Sequence, residues 1–401
     1  MGRHPRTLLE LRCRHSTSLP ARLEGGVARG RVRAEASGQE TPGSRSMSDY
    51  APVTDASAWR GAEIASDPAW ISTLATAEVE DLAAALRGVQ ARGIPTTAIT
   101  RADFPLPVLA PRLAQWLEQA RSGRGFFVVR GLPANRFDEA EREAIFWGLG
   151  THLGTAVSQN SHGEMLGHVF DQGRTYGSAN TRGYQTKARL DFHTDRCDLV
   201  GLLCQRRAKH GGLSSVVSTM AVHNEILRTR PDLLPILYRG FHYSEREAAD
   251  NPNGVTPRPI PVFSNHRGVI SCRFIRNPIE TGAERRGIPL TASEREALEL
   301  MSSLSAREDM RLDMMLEPGD MQFCNNYVTT HARTEFEDWE DPAQRRLMVR
   351  LWLTFDARRP LAEDFGEHDG IPARLAPGTA VLPGGPNAAA PPRLESAQQA
   401  S

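Results

Sequence analysis

From about residue 165 to residue 355 the chain is a succession of short runs rich in β-branched and aromatic residues, broken by turn signals. That rhythm restricts the fold more than any other feature. The runs are Leu199–Cys204, Ser214–Ser218, Val269–Phe274, Met321–Cys324 and Leu347–Phe355, with helical inserts at 219–230 and 291–304. Many short strands of this kind close on one another as a sandwich or jelly roll. Ahead of them, residues 76–92 read as a helix, with Thr76 as N-cap, Glu78 and Glu80 in the first turn, and Leu82, Ala85, Leu86 and Val89 on one face. Residues 107–122 read as a second helix, started by Pro107 and stopped near Gly123. The run Gly125-Phe-Phe-Val-Val-Arg-Gly131 reads as a buried strand, and 137–151 as another amphipathic helix. The expected fold class is α+β, mainly β with flanking helices, in one domain over 47–371.

The two ends differ from this body. Residues 1–46 carry nine Arg and four Glu, a net charge of +5. They lack the continuous apolar stretch of a secretory signal. An Arg-rich organelle transit peptide is one reading; a disordered extension, or an over-called start with Met47 opening the chain, is preferred. The tail from Pro372 is rich in Pro, Ala and Gly and reads as irregular.

Charge and cysteine usage exclude several classes. Lys+Arg and Asp+Glu are equal at 48 each, so nothing global points to nucleic acid or an anionic membrane. No apolar run approaches the roughly 20 residues a membrane helix needs. The five cysteines are odd in number and widely spaced, without a C-x-x-C pair, which argues against a disulfide framework or a structural zinc site. A cytoplasmic location is the simple expectation, and Cys197 reads as a packing residue. A homo-oligomer is compatible with all of this.

Three His-x-acid pairs occur: His162-Gly-Glu164, His193-Thr-Asp195 and His223-Asn-Glu225. Chance alone supplies about 1.4 such pairs in a chain of this composition, so context must decide. In extended chain, residues i and i+2 share a face and can chelate together. The 223/225 pair falls in a helical pattern, where the two side chains point about 200° apart. The 162/164 pair sits among loop residues. His193-Thr-Asp195 lies beside a strand candidate and is the best of the three. A third ligand is sought in Gly319-Asp-Met-Gln-Phe-Cys-Asn-Asn-Tyr-Val-Thr-Thr-His331, where a turn launches a strand. Two imidazoles and one carboxylate hold one face of iron(II) and leave the other open.

Fifteen residues after His331 comes Arg346-Leu-Met-Val-Arg350-Leu-Trp-Leu-Thr-Phe355. As a strand it places Arg346, Met348, Arg350 and Trp352 on one face and Leu347, Val349, Leu351 and Leu353 on the other. Either the arginines face solvent or they line a barrel interior, where a guanidinium must meet an anion or lose its solvation. The composition of the strand leaves these two readings even. Arg273 alternates with apolar residues and is a candidate to face the same cavity. The Gly-rich segment 173–185 reads as a pocket lid or a plain surface loop, and the insert 243–266 as a cover.

Taken in order, Asp191-Phe-His-Thr-Asp195, Gly211-Gly-Leu-Ser214, Asn326…His331-Ala-Arg-Thr-Glu-Phe-Glu-Asp338 and Arg345-Arg-Leu-Met-Val-Arg350-Leu-Trp resemble the TauD/TfdA (taurine dioxygenase and clavaminate synthase-like) family. Phe104-Pro-Leu-Pro107 and 125–133 resemble its N-terminal signature, and the likeness spans roughly 85–360. The resemblance implies a double-stranded β-helix (jelly-roll) core and an iron triad of His193, Asp195 and His331. It implies that Arg346 grips the distal carboxylate of the co-substrate 2-oxoglutarate, with Ser214 where the family often has a supporting Thr. Arg350 matches a position that meets the substrate's anionic group in taurine dioxygenase, and here serves substrate or co-substrate. The implied partners are O₂ and a small organic substrate, oxidised with release of succinate and CO₂. Two rivals remain open on the residues alone: a jelly-roll binding protein without turnover, and a hydrolase with a metal in the same triad.

Overall fold

The computed structural model describes residues 50–175, 183–245 and 254–373. The extension read in 1–46, the tail beyond 373, and parts of the 173–185 lid and the 243–266 cover lie outside the described residues. The strands, in chain order, are β1 (Ile71–Thr73), β2 (Phe126–Arg130), β3 (Thr155–Ala156), β4 (Leu166–Val169), β5 (Leu190–His193), β6 (Leu199–Arg206), β7 (His210–Gly211), β8 (Ser214–Ser218), β9 (Phe263–His266), β10 (Val269–Cys272), β11 (Arg311–Met314), β12 (Met321–Asn325), β13 (Thr329–Arg333), β14 (Phe336–Glu337) and β15 (Leu347–Thr354). Two sheets dominate. The larger runs β1-β2-β12-β6-β15-β3 with β4 also paired to β15; the smaller runs β11-β8-β13-β5.

Side-chain alternation explains how these sheets pack. On one face of the larger sheet Phe127, Val129, Leu199, Leu203, Phe323, Val349, Leu351 and Leu353 form one buried cluster. The same cluster takes in residues of three helices, Thr76–Ala91, Ala110–Arg121 and Glu139–Leu153. Phe323 stacks on Phe127 at 5.0 Å and meets Phe146 at 5.7 Å. Gly201 makes room for this: a Cβ there would come within 2.9 Å of both Phe146 and Phe323. The opposite face contributes Phe126, Val128, Val200, Cys204, Cys324, Met348 and Trp352 to a second cluster, which they share with Val216, Leu312 and Met314 of the smaller sheet. The two sheets therefore face one another across a common interior. This is the jelly-roll arrangement; among the described residues they form two sheets rather than a closed barrel.

The first flanking helix spans Thr76–Ala91, but Thr76 is its first helical residue and not its cap. The cap position is Ala75, whose backbone N–H donates to the Glu78 carboxylate at 2.7 Å. The second helix starts at Ala110, three residues later than Pro107 suggested. The N–H groups of Val108 and Leu109 are taken instead by the buried Asp81 carboxylate at 2.9 and 3.0 Å. A helix at Arg276–Arg286 has no counterpart in the sequence reading. It buries only Ile279, Gly282 and Ala283, too little apolar surface to leave a periodic signal. Strand β13 was also missed, because Thr-Thr-His-Ala-Arg does not alternate in polarity even though all five residues are buried.

Candidate metal centre and active site

Strands β5 and β13 pair antiparallel, with His331 directly opposite His193. A direct pair places both side chains on the same face of the sheet. Asp195 follows just beyond the end of β5. The three residues form the one group of potential metal ligands found among the described residues, with ligating atoms all within 4.8 Å of one another. His193 Nε2 lies 3.9 Å and His331 Nε2 3.6 Å from the two Asp195 carboxylate oxygens. The imidazole rings tilt at 51° with centroids 4.3 Å apart. His193 Nδ1 is 2.8 Å from the Asp191 carbonyl, which fixes the ring and leaves Nε2 for the centre.

Asp195 is held from several sides. Its backbone N–H donates to Asn326 Oδ1 at 2.9 Å, and Trp352 Nε1 donates to its Oδ2 at 3.0 Å. Burial alone would raise the carboxyl, but Arg350, His331, His193 and the Trp352 N–H outweigh it and hold the group below its ordinary value. Burial, with the charge of His193 beside it, pushes His331 down to about 3, so its ring is neutral and has a lone pair to offer. Two imidazoles and one carboxylate gathered at one point are the donor set that suits iron(II).

The other two His-x-acid pairs behave as their contexts suggest. His223 sits inside the helix Thr219–Thr229 against Tyr238, while Glu225 pairs with Arg60, Arg228 and Arg307. Glu164 accepts from Asn160 Nδ2 at 2.6 Å within a turn. Cys197 is buried, its thiol raised well above the ordinary value by burial, and its sulfur accepts from Asn326.

Strand β15 lies between β6 and β4, and its arginine face points inward, the second of the two readings left open above. The two arginines differ in their partners. Arg350 Nε donates to Gln159 Oε1 at 2.7 Å and Nη1 lies 3.7 Å from Asp195; the guanidinium is also 4.9 Å from the rings of both Tyr184 and Trp352. Arg346 is equally buried, yet its Nη1 has no hydrogen-bond partner and it has no ion pair among the described residues. It stacks on Phe336 at 5.1 Å, and burial pushes it down to about 10. The turn Gly211-Gly212 brings β8 alongside: a Cβ on Gly212, at φ +73, would press to 3.3 Å from Arg346 Nε. Ser214 opens β8 and is buried there.

The sequence reading overlooked a third buried guanidinium, Arg333. Its Nη2 donates to the carbonyls of Thr186 (2.8 Å) and Ala188, while Nε and Nη1 are buried without partners among the described residues. Arg273, a candidate for the cavity, instead donates to the carbonyls of Phe365 and Glu367 and anchors the segment after the last strand.

The profile of the taurine catabolism dioxygenase TauD, TfdA family matches residues 87–352. FR-33289 synthase of Streptomyces rubellomurinus is 33% identical over 79% of this chain and 94% of its own length. The chain belongs to the TauD/TfdA family. Membership brings the reaction class with it: TauD/TfdA enzymes are iron(II)- and 2-oxoglutarate-dependent dioxygenases, and this chain is an oxidoreductase of that class. Solved structures agree on the fold. Asparagine oxygenase, in complex with Fe(II), hydroxyasparagine and succinate, superposes with a TM-score of 0.56 at 21% identity, covering 71% of this chain and 93% of that one. The oxygenase OrfP, in complex with Fe and alpha-ketoglutaric acid, gives 0.51 at 16% identity over 71% and 94%. No helix among the described residues is long and apolar enough to cross a membrane.

Proposed function

We propose that the chain oxidises, by hydroxylation, a C–H bond of a small organic substrate, with iron(II) held by His193, Asp195 and His331 and the distal carboxylate of 2-oxoglutarate held by Arg346 with Ser214. The catalytic unit on this reading is residues 47–371. The observation that carries it is Arg346: a buried guanidinium with an unused Nη1 and no ion pair among the described residues. A hydrolytic reading leaves that charge without a purpose.

The bound metal supplies the redox chemistry that couples 2-oxoglutarate decarboxylation to substrate oxidation. The protein does the rest. Asp191 and Asn326 fix the orientation of the ligands, and Trp352 holds one carboxylate oxygen. Arg350 braces Asp195 from behind, gripped by Gln159 and the two aromatic rings, so on this reading it tunes the carboxylate rather than binding the co-substrate. The apolar interior around Val216, Met348 and Trp352 excludes water from the reacting face.

The test is succinate release from 2-oxoglutarate by the full chain with Fe(II) and O₂, with and without a panel of small substrates. Succinate formation that needs both iron and O₂ and is lost in His331→Ala supports the reading. Turnover of any substrate without O₂, or unchanged activity in His331→Ala, contradicts it.

A further inference from the structure

We infer that Arg333, which like Arg346 lies against the Phe336 ring, is a second guanidinium for the distal carboxylate of 2-oxoglutarate; this rests on the function proposed above.

The placement follows from strand geometry. In β13 residues 331 and 333 share a face, so Arg333 looks into the same interior as His331. Two residues of antiparallel strand advance by about 6.8 Å. That is the scale on which a five-carbon 2-oxo diacid, chelating at one end, presents its other carboxylate. The neighbouring strand keeps the same register: Val216 stands opposite His331 and Ser214 opposite Arg333. Ser214 and Arg333 therefore form one cross-strand pair, one step along the sheet from the metal ligand.

Arg346 arrives from the other sheet. Both cations lie against the Phe336 ring, the Arg333 guanidinium carbon 4.8 Å and that of Arg346 5.1 Å from its centroid. An aromatic face stabilises each of them and lets two like charges be held near one another. Both side chains are more than nine-tenths buried, at 6% and 5% exposure. Between them Nε and Nη1 of Arg333 and Nη1 of Arg346 have no hydrogen-bond partner among the described residues. The nearby carboxylate of Asp338 accepts from the Arg346 backbone N–H at 2.8 Å and forms no ion pair with either guanidinium among the described residues. Asp171 and Asp338 act on these charges only from beyond ion-pair distance, and two buried cations with unused donors and no ion pair among the described residues fit a ligand carboxylate.

The competing explanation is that Arg333 only ties the Thr186 and Ala188 carbonyls to β13. That role uses one of its three nitrogens. The two explanations differ in selectivity, because only a carboxylate-binding Arg333 distinguishes a 2-oxo diacid from a 2-oxo monoacid.

The experiment is an anaerobic titration of the Fe(II)-loaded full chain, read by the visible charge-transfer band, with 2-oxoglutarate and separately with 2-oxobutyrate. Arg333→Met is expected to weaken 2-oxoglutarate binding by about ten- to a hundredfold and to leave 2-oxobutyrate binding within about twofold. In turnover the KM for 2-oxoglutarate rises while kcat at saturation is kept. Arg333→Lys retains the charge without the fork, and is expected to show the same selective loss at about three- to tenfold; it carries the test if the Met variant does not fold. Wild-type affinity for 2-oxoglutarate in both variants, or equal weakening toward both acids, overturns the assignment and leaves Arg333 a structural tie. Absence of any band in the wild-type chain overturns the functional reading itself, and this inference with it.

Discussion

His193-Thr-Asp195 and His223-Asn-Glu225 carry the same three-residue pattern thirty residues apart, and the fold uses them for opposite purposes. His193 closes strand β5 with His331 directly opposite, and Asp195, just beyond the strand end, joins them. The second lies on a helix, where the same spacing sends the side chains to different surroundings. His223 is fully buried against Phe263 and Tyr238, and Glu225 turns to three arginines. Both carboxylates are held below their ordinary value, and burial pushes His223 toward the neutral form. What separates a candidate metal centre from a structural ion network is convergence: the strand pair gathers three donors at one point, and the helix pair disperses them.

Substitutions at the two pairs are expected to move different observables. Asp195→Ala should leave a folded protein and reduce succinate formation by about three orders of magnitude, about 4 kcal/mol of transition-state stabilisation. Glu225 is the control, since its substitution should leave that rate unchanged. Trp352→Phe removes the N–H donor to Asp195 while keeping the packing, and should weaken Fe(II) binding by about ten- to a hundredfold in a competition with a metal chelator. Glu225→Gln should cost about 1–3 kcal/mol in denaturant unfolding, because three arginines lose their shared anion; the pair is partly solvated, so the lower end is expected.

The smallest effect is a pH dependence. Burial holds His223 down to about 4 against an ordinary 6.5. A histidine with a depressed folded value binds fewer protons in the native state than in the unfolded one between these limits. Its contribution is therefore fully present above about pH 6.5 and is lost as the pH falls toward 4. Unfolding free energies of the metal-free protein at pH 7 and pH 5 should differ by about 1–2 kcal/mol more in the wild type than in His223→Leu. An unchanged difference would mean that the ring is already charged in the fold.

Much of the fold could be read in the sequence, and the reasons are specific. The run Ser214–Ser218 matches β8 at both ends, and β15 reaches to one residue short of Phe355, because β-branched residues and turn glycines mark them plainly. The gathering of His193, Asp195 and His331 was legible because strand context separates one His-x-acid pair from two others. The facing of β15 was not: a strand with one aliphatic face looks the same whether helices or solvent cover that face, and only the packing of Val349, Leu351 and Leu353 against the helices turns the arginines inward. Arg333 escaped for a related reason. It lies in a segment without hydrophobic alternation, so its place on the His331 face emerges only after β13 is seen to pair with β8 and β5.

Where the two ends of the co-substrate lie decides between Arg346 and Arg350 as its anchor. A crystal structure of the full chain prepared without O₂, with Fe(II) and 2-oxoglutarate, examines this directly. The expected result is a metal bonded to His193, Asp195 and His331, with the distal carboxylate against Arg346 and with Arg350 still on Gln159 and Asp195. A metal bound elsewhere, or a distal carboxylate seated on Arg350 with Arg346 left unpaired, would contradict it.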